Sequence, residues 1–265
     1  MVPPARIRQG AGTMTLTVEQ RRFYDENGFI LAPGLLTADE AADLRAEAHA
    51  IAAEQGAADA TWGSVRSGDT RLTHCHDVHF RSAAFTRLLV DPRFTGVAQA
   101  IIGPNVQLHH TKMFVKPPER GSPFPMHQDF PYFPHRDHSM IAAIVHLDDA
   151  PDEKGCLRVY PGSHKLGPLP AIGEDHHLPE DRFPLDGATP VPARAGDVVF
   201  FSYLLAHGSG VNRSGEPRTT VLVQLRDPAD PPLVEKHGSR GQGMMLAGVD
   251  PTAGAFQFAW EGQSA

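Results

Sequence analysis

Apolar positions along this chain change period near residue 105. Before it they recur at helical spacing: Ala41, Leu44, Ala48 and Ile51 fall on one face of a segment opened by Thr37-Ala38-Asp39-Glu40 and followed by Gly56. That is an amphipathic helix with a capping box at its start. Thr17-Val18-Glu19-Gln20 opens a shorter helix that Gly28 ends, and Asp91-Pro92 supplies an N-cap and first-turn proline for a third, running to about Ile102 and stopping at Gly103. After Asn105 the apolar runs are short and punctuated by Pro, Gly and Asp: residues 106–115, 140–147, 157–160, 197–202 and 219–225. Such runs predict strands. With no helical pattern between them, they predict an antiparallel sandwich or barrel rather than a parallel sheet.

The expected class is therefore mainly β with flanking α-helices. A chain of 265 residues fits one domain over 14–265, helical over about 14–104 and β-rich over about 105–228, behind a tail at 1–13 without periodicity. Gly and Pro (25 and 24) make up about 18% of the chain against an average of about 12%, as many turns between short strands require. The net charge is −7, and no run of Lys and Arg forms a stripe, so nucleic acid is not expected as a partner. No apolar stretch reaches the roughly 20 residues of a membrane span, and Met1–Thr13 has no apolar core of a signal peptide. With only Cys75 and Cys156, and a Gln263-Ser264-Ala265 end that is no peroxisomal signal, the expectation is a soluble, cytoplasmic protein without an obligate protein partner.

Phe124-Pro125-Met126-His127-Gln128-Asp129-Phe130 places an imidazole and a carboxylate two residues apart. In a strand, positions i and i+2 share a face, so both can converge on one ion. A third ligand must come from elsewhere, and His207 offers it from Leu204-Leu205-Ala206-His207-Gly208-Ser209-Gly210, where small residues let backbone pass close to a site. Two imidazoles and one carboxylate form the facial triad of non-haem iron oxygenases, which leaves positions open for a bidentate co-substrate and dioxygen. A hydrogen-bonded structural pair is the other reading of His127 and Asp129. Arg218, eleven residues after His207, adds a guanidinium that can fork onto the distal carboxylate of 2-oxoglutarate; after Ser214-Gly215-Glu216-Pro217 it also reads as a surface arginine.

Four strings, Tyr24-Asp25-Glu26-Asn27-Gly28-Phe29, His127-Gln128-Asp129, Gly155-Cys156-Leu157-Arg158-Val159-Tyr160-Pro161-Gly162-Ser163-His164, and His207 to Ser214 followed by Arg218, resemble the phytanoyl-CoA dioxygenase family over roughly Phe23 to Arg226. The resemblance implies a double-stranded β-helix (jelly roll, cupin-like), Fe(II), and 2-oxoglutarate and O2 as co-substrates. It implies succinate, carbon dioxide and a hydroxylated product, with His127, Asp129 and His207 as iron ligands and Arg218 as carboxylate anchor. Ser209, Asn212 and Ser214 match its loop pattern. A strand resembling the one at Gln107 to Val115 helps hold the co-substrate in the family, and alternation puts His110 and Lys112 on one face of it. Halogenating relatives replace the carboxylate with a small residue, so Asp129 implies oxidation at C–H instead.

The competing constellation is His74-Cys75-His76-Asp77-Val78-His79, whose donors are too close in sequence to reach one tetrahedral zinc together. A loop at the site's mouth is the reading preferred here, with Arg71 and His74 near a small-molecule substrate and Trp62 and Arg66 in a lid. Phe130, Tyr132 and Phe133 are candidate pocket walls or core. His164 reads as a turn residue and His176-His177 as part of an exposed loop. A cupin-like metal-dependent isomerase or hydrolase without 2-oxoglutarate is the alternative function, and Arg218 separates the two.

Overall fold

The computed structural model describes residues 15–54, 58–60, 72–119, 122–173, 175–234 and 238–254. The tail at 1–13, Trp62, Arg66 and Arg71 lie outside them. Among the described residues there are four α-helices: α1 (Val18–Asn27), α2 (Ala38–Glu54) and α4 (Pro92–Ile102) form where caps and period predict, and α3 (Ala83–Leu89), capped by Ser82, is one that the sequence pattern did not predict. Thr17 and Gln20 exchange both bonds of the capping box, and Asp91 accepts from the Arg93 amide at 2.8 Å. Gly28 ends α1 at φ 80°, and a Cβ there would meet the His164 ring at 2.5 Å. That contact joins two of the strings that carry the family resemblance.

The large sheet runs β1 (Phe29–Ala32), β9 (Val198–Ser202), β6 (Ile141–His146), β11 (Arg218–Arg226), β4 (Val106–Lys116), β3 (Leu72–His76) and β2 (Ala58–Ala60), with β12 (Met245–Ala247) also paired to β4. The small sheet runs β5 (Phe124–His127), β10 (His207–Ser209), β7 (Leu157–Val159) and β8 (Thr189–Val191). All the pairings are antiparallel, as the turn-punctuated runs require. Pro125 and Pro190 sit on the two edge strands of the small sheet, where a missing N–H costs no ladder bond.

Both faces of the large sheet are covered, which is why β6 and β9 read as nearly continuous apolar runs. Ile30, Ala143, Val145, Val198, Phe200, Val221 and Val223 pack outward against Leu44, Phe85, Phe94 and Val97 of the helices. Phe29, Leu31, Val199 and Phe201 face inward onto Leu157, Val159 and Val191 of the small sheet. These two curled sheets with their helical backing are the jelly-roll arrangement that the resemblance implies.

Two local expectations change. Residues 14–104, expected to be helical, also give β1, β2 and β3 to the large sheet. His74 therefore lies not in a loop but in a strand, opposite Phe114, because pairing with β4 overrides the polar local sequence. The cluster around it holds no ion site among the described residues. Cys75 is core, the carboxylate of Asp77 takes Ser239, and His79 is occupied by Thr111 and the Arg240 carbonyl.

Candidate metal centre

Register brings the two imidazoles together. His127 and His207 are direct cross-strand partners of β5 and β10, with ring centroids 4.2 Å apart. Gly208 makes this approach possible, since a Cβ there would lie 2.7 Å from the Phe124 carbonyl oxygen and 2.9 Å from Met126 Sδ. Asp129 arrives differently from the strand alternation expected of it. The strand ends at His127, and Asp129 has helical dihedrals (φ −76°, ψ −21°) at the head of a 3-10 turn over Phe130–Tyr132. Its amide donates to the Tyr203 carbonyl at 2.9 Å, and this bond to a distant loop aims the carboxylate back at the imidazoles.

Asp129 Oδ1 lies 3.7 Å from His127 Nε2 and 3.8 Å from His207 Nε2. These spans are slightly wider than the roughly 3 Å between adjacent donors at bond lengths of about 2.1 Å. Each Nδ1 donates to a carbonyl, His127 to Pro125 (2.7 Å) and His207 to Leu205 (2.9 Å). A carbonyl can only accept, so both Nε2 atoms carry the lone pair that a metal needs. Burial, then the neighbouring His207, holds His127 well below the usual imidazole range, which keeps it unprotonated. Gln224 donates to Asp129 Oδ2 at 2.7 Å and leaves the other oxygen for the ion. This donor set fits a divalent ion, and it is the triad of His, Cys, Asp or Glu found close enough to hold one among the described residues.

One cavity runs from the triad to Arg218, past Ser209, Thr220, His146, Leu157, Phe201 and Leu222. Arg218 is buried, donates to the Gly155 carbonyl, and keeps an Nε without a hydrogen-bond partner. Burial pushes its pKa down to about 10, offset partly by Cys156 and Asp148. His146 beside it is buried with neither ring nitrogen bonded, its pKa pushed down to about 3 by burial and then by Arg218. Unsatisfied buried polar groups of this kind mark a place for a ligand.

Lys112, His110, Tyr132 and Phe133 line the same cavity. Burial pushes Lys112 down to about 8 against the opposing pull of Asp129. Phe130 does not line it but packs on His138 and Tyr203, and neither does His74. His176 and His177 lie in a turn, as expected, but are half-buried rather than exposed: His176 meets the Tyr132 ring at 5.2 Å, and His177 bridges to His127. Sequence reasoning missed Gln224, His146, Gln128 and Ser163. Gln128 ties Gly167, Leu169 and Leu204 together, and Ser163 Oγ accepts from the Ala206 amide beside His207. Gln224 alternates with Arg218, Thr220 and Leu222 along β11, a signal that was present; the others depend on contacts made at long range.

Two imidazoles and a carboxylate between curled sheets, with a buried arginine farther along the same cavity, define a 2-oxoglutarate-dependent non-haem iron dioxygenase. The sequence profile of the phytanoyl-CoA dioxygenase (PhyH) family matches residues 24–220, and the chain belongs to that family. It is 31% identical over 237 residues to peroxisomal phytanoyl-CoA dioxygenase of Rattus norvegicus, covering 80% of this chain and 68% of the relative. It is 28% identical over 227 residues to ectoine dioxygenase of Nocardia farcinica, covering 77% and 76%. The epimerase SnoN in complex with Fe3+, alpha-ketoglutarate and nogalamycin RO is similar at a TM-score of 0.69 and 26% identity, over 87% of this chain and 95% of that one. EctD of S. alaskensis with bound Fe shares the fold, at a TM-score of 0.68 and 24% identity, over 94% and 92%. No helix among the described residues is long and apolar enough to cross a membrane.

Proposed function

We propose that this protein oxidises a C–H bond of a compact metabolite, hydroxylation being the expected outcome, and releases succinate and carbon dioxide from 2-oxoglutarate. The observation that carries this reading is Arg218: a buried guanidinium with an unpartnered Nε, in the cavity that His127, Asp129 and His207 share. A bound ferrous ion with 2-oxoglutarate and dioxygen supplies the oxidising chemistry. His127, His207 and Asp129 hold the ion, and Gln224 fixes which carboxylate oxygen faces it. Arg218 takes the distal carboxylate of the co-substrate, with Ser209, Thr220 and His146 as polar neighbours. Ile144, Leu157, Phe201 and Leu222 exclude water around the chain of the co-substrate, and Lys112 adds positive charge.

His110, Phe114, Phe124, Tyr132 and Phe133 are left to face the substrate. The sequence has no basic cluster suited to a coenzyme A phosphate, which favours a small molecule over an acyl thioester. Succinate formed from 2-oxoglutarate with iron and oxygen, measured across a panel of small metabolites, tests the reading. Arg218→Ala should abolish it. An enzyme that acts on its substrate unchanged in Arg218→Ala, with no 2-oxoglutarate bound, belongs instead with cupin-like isomerases or hydrolases.

A further inference from the structure

Of the chain's four tyrosines, Tyr132 lines the cavity, and Tyr24, Tyr160 and Tyr203 do not. It sits in the turn that begins at Asp129, its amide donating to the Asp129 carbonyl at 3.1 Å, and its ring centroid is 6.4 Å from that of His127. Its hydroxyl donates to the Asp175 carbonyl at 2.6 Å, and its ring meets His176 at 82°. These two contacts hold the ring beside the metal ligands.

We propose that Tyr132 is a self-modification site: when no substrate fills the cavity, the oxidation falls on its ring and makes 3,4-dihydroxyphenylalanine. The inference rests on the function proposed above. The balance is tyrosine, 2-oxoglutarate and O2 giving dihydroxyphenylalanine, succinate and carbon dioxide. One oxygen atom enters the new carboxylate of succinate, and the other is inserted into a ring C–H bond beside the phenol oxygen. The ring gives up two electrons and 2-oxoglutarate two, which together reduce O2. Phe201 is closer to His207, at 4.6 Å, and Phe133 packs between His109 and His110, but neither has the oxygen that enriches a phenol ring in electrons.

The full chain is incubated in air with Fe(II) and 2-oxoglutarate and no added substrate, then digested with trypsin and its 121–136 peptide sequenced by mass spectrometry. The peptide should gain one oxygen, about 16 Da, with fragment ions placing it on Tyr132 rather than on Met126, whose sulfoxide has the same mass. The denatured chain should stain for a catechol by redox cycling, and Tyr132→Phe should not. An oxygen on Phe133 or Met126 in that peptide, or on Phe201 in the 195–213 peptide sequenced alongside it, or a catechol in Tyr132→Phe, overturns the inference. So does an unmodified Tyr132 in protein that forms the visible Fe(II)·2-oxoglutarate band and accumulates succinate, a result that leaves the proposed function intact. Absence of band and succinate alike removes both.

Discussion

Arg218→Met should stabilise the ligand-free protein while destroying its response to co-substrate. Arg218 is 6% exposed, so solvent screens little of its charge. A guanidinium pushed down from 12.5 to about 10 but still charged at pH 7 carries a burden of about 3 kcal/mol. Losing its bond to the Gly155 carbonyl returns about 1 kcal/mol. Methionine fills most of the volume, which leaves a net gain of about 2 kcal/mol, or about 4–8 °C in Tm for a chain of this size. Differential scanning of the metal-free proteins measures the first half. With Mn(II) present to hold the site without turnover, 2-oxoglutarate at about 100 times its Kd should stabilise the wild type by about 2.7 kcal/mol and the variant not at all. A metal-free variant that melts below the wild type, or one that 2-oxoglutarate stabilises equally, refutes the assignment of Arg218 as a charge kept for a ligand.

Gln224→Leu removes the 2.7 Å bond to Asp129, and ferrous affinity in a metal titration should fall by about 10- to 100-fold, with an unchanged affinity contradicting the role given to Gln224. Lys112 has a folded pKa of about 8 against about 10.4 unfolded, so between these values the unfolded chain binds more protons. Stability of the ligand-free protein should therefore rise from pH 8 to 10.4, by about 3 kcal/mol from this residue, and urea unfolding of Lys112→Met should show the rise flattened. Gly208→Ala should weaken both folding and metal binding by forcing β5 from β10, whereas Gly215→Ala, with no atom within 4 Å of its Cβ, should leave thermal stability and ferrous affinity alike unchanged.

Three of the helices were legible because caps are local: Thr17, Asp91 and Gly28 act within four residues of themselves, whereas the seven-residue α3 behind Ser82 was missed. β6 and β9 were legible because burial on both faces makes them apolar almost throughout. The triad was legible as chemistry but not as geometry. Asp129 was assigned to a strand, yet the bond from its amide to Tyr203, 74 positions away in sequence, puts it in a turn. That His127 faces His207 is a matter of register between β5 and β10, which no local pattern encodes. His74 shows the converse, a polar segment made into a strand by its neighbour β4. His146 closes an apolar run with a residue that, on sequence alone, looks like a strand end, and only the cavity around it gives its bare nitrogens a meaning.

The central claim is that His127, Asp129 and His207 hold an iron to which 2-oxoglutarate binds with Arg218 at its far end. Anaerobic titration of the full chain with Fe(II) and then 2-oxoglutarate tests it most directly. A visible charge-transfer band should appear that saturates at one iron and one 2-oxoglutarate per chain, is absent in His207→Ala, and in Arg218→Met forms only at far higher 2-oxoglutarate. A band of equal strength and affinity in His207→Ala or Arg218→Met, or none in the wild type, contradicts it.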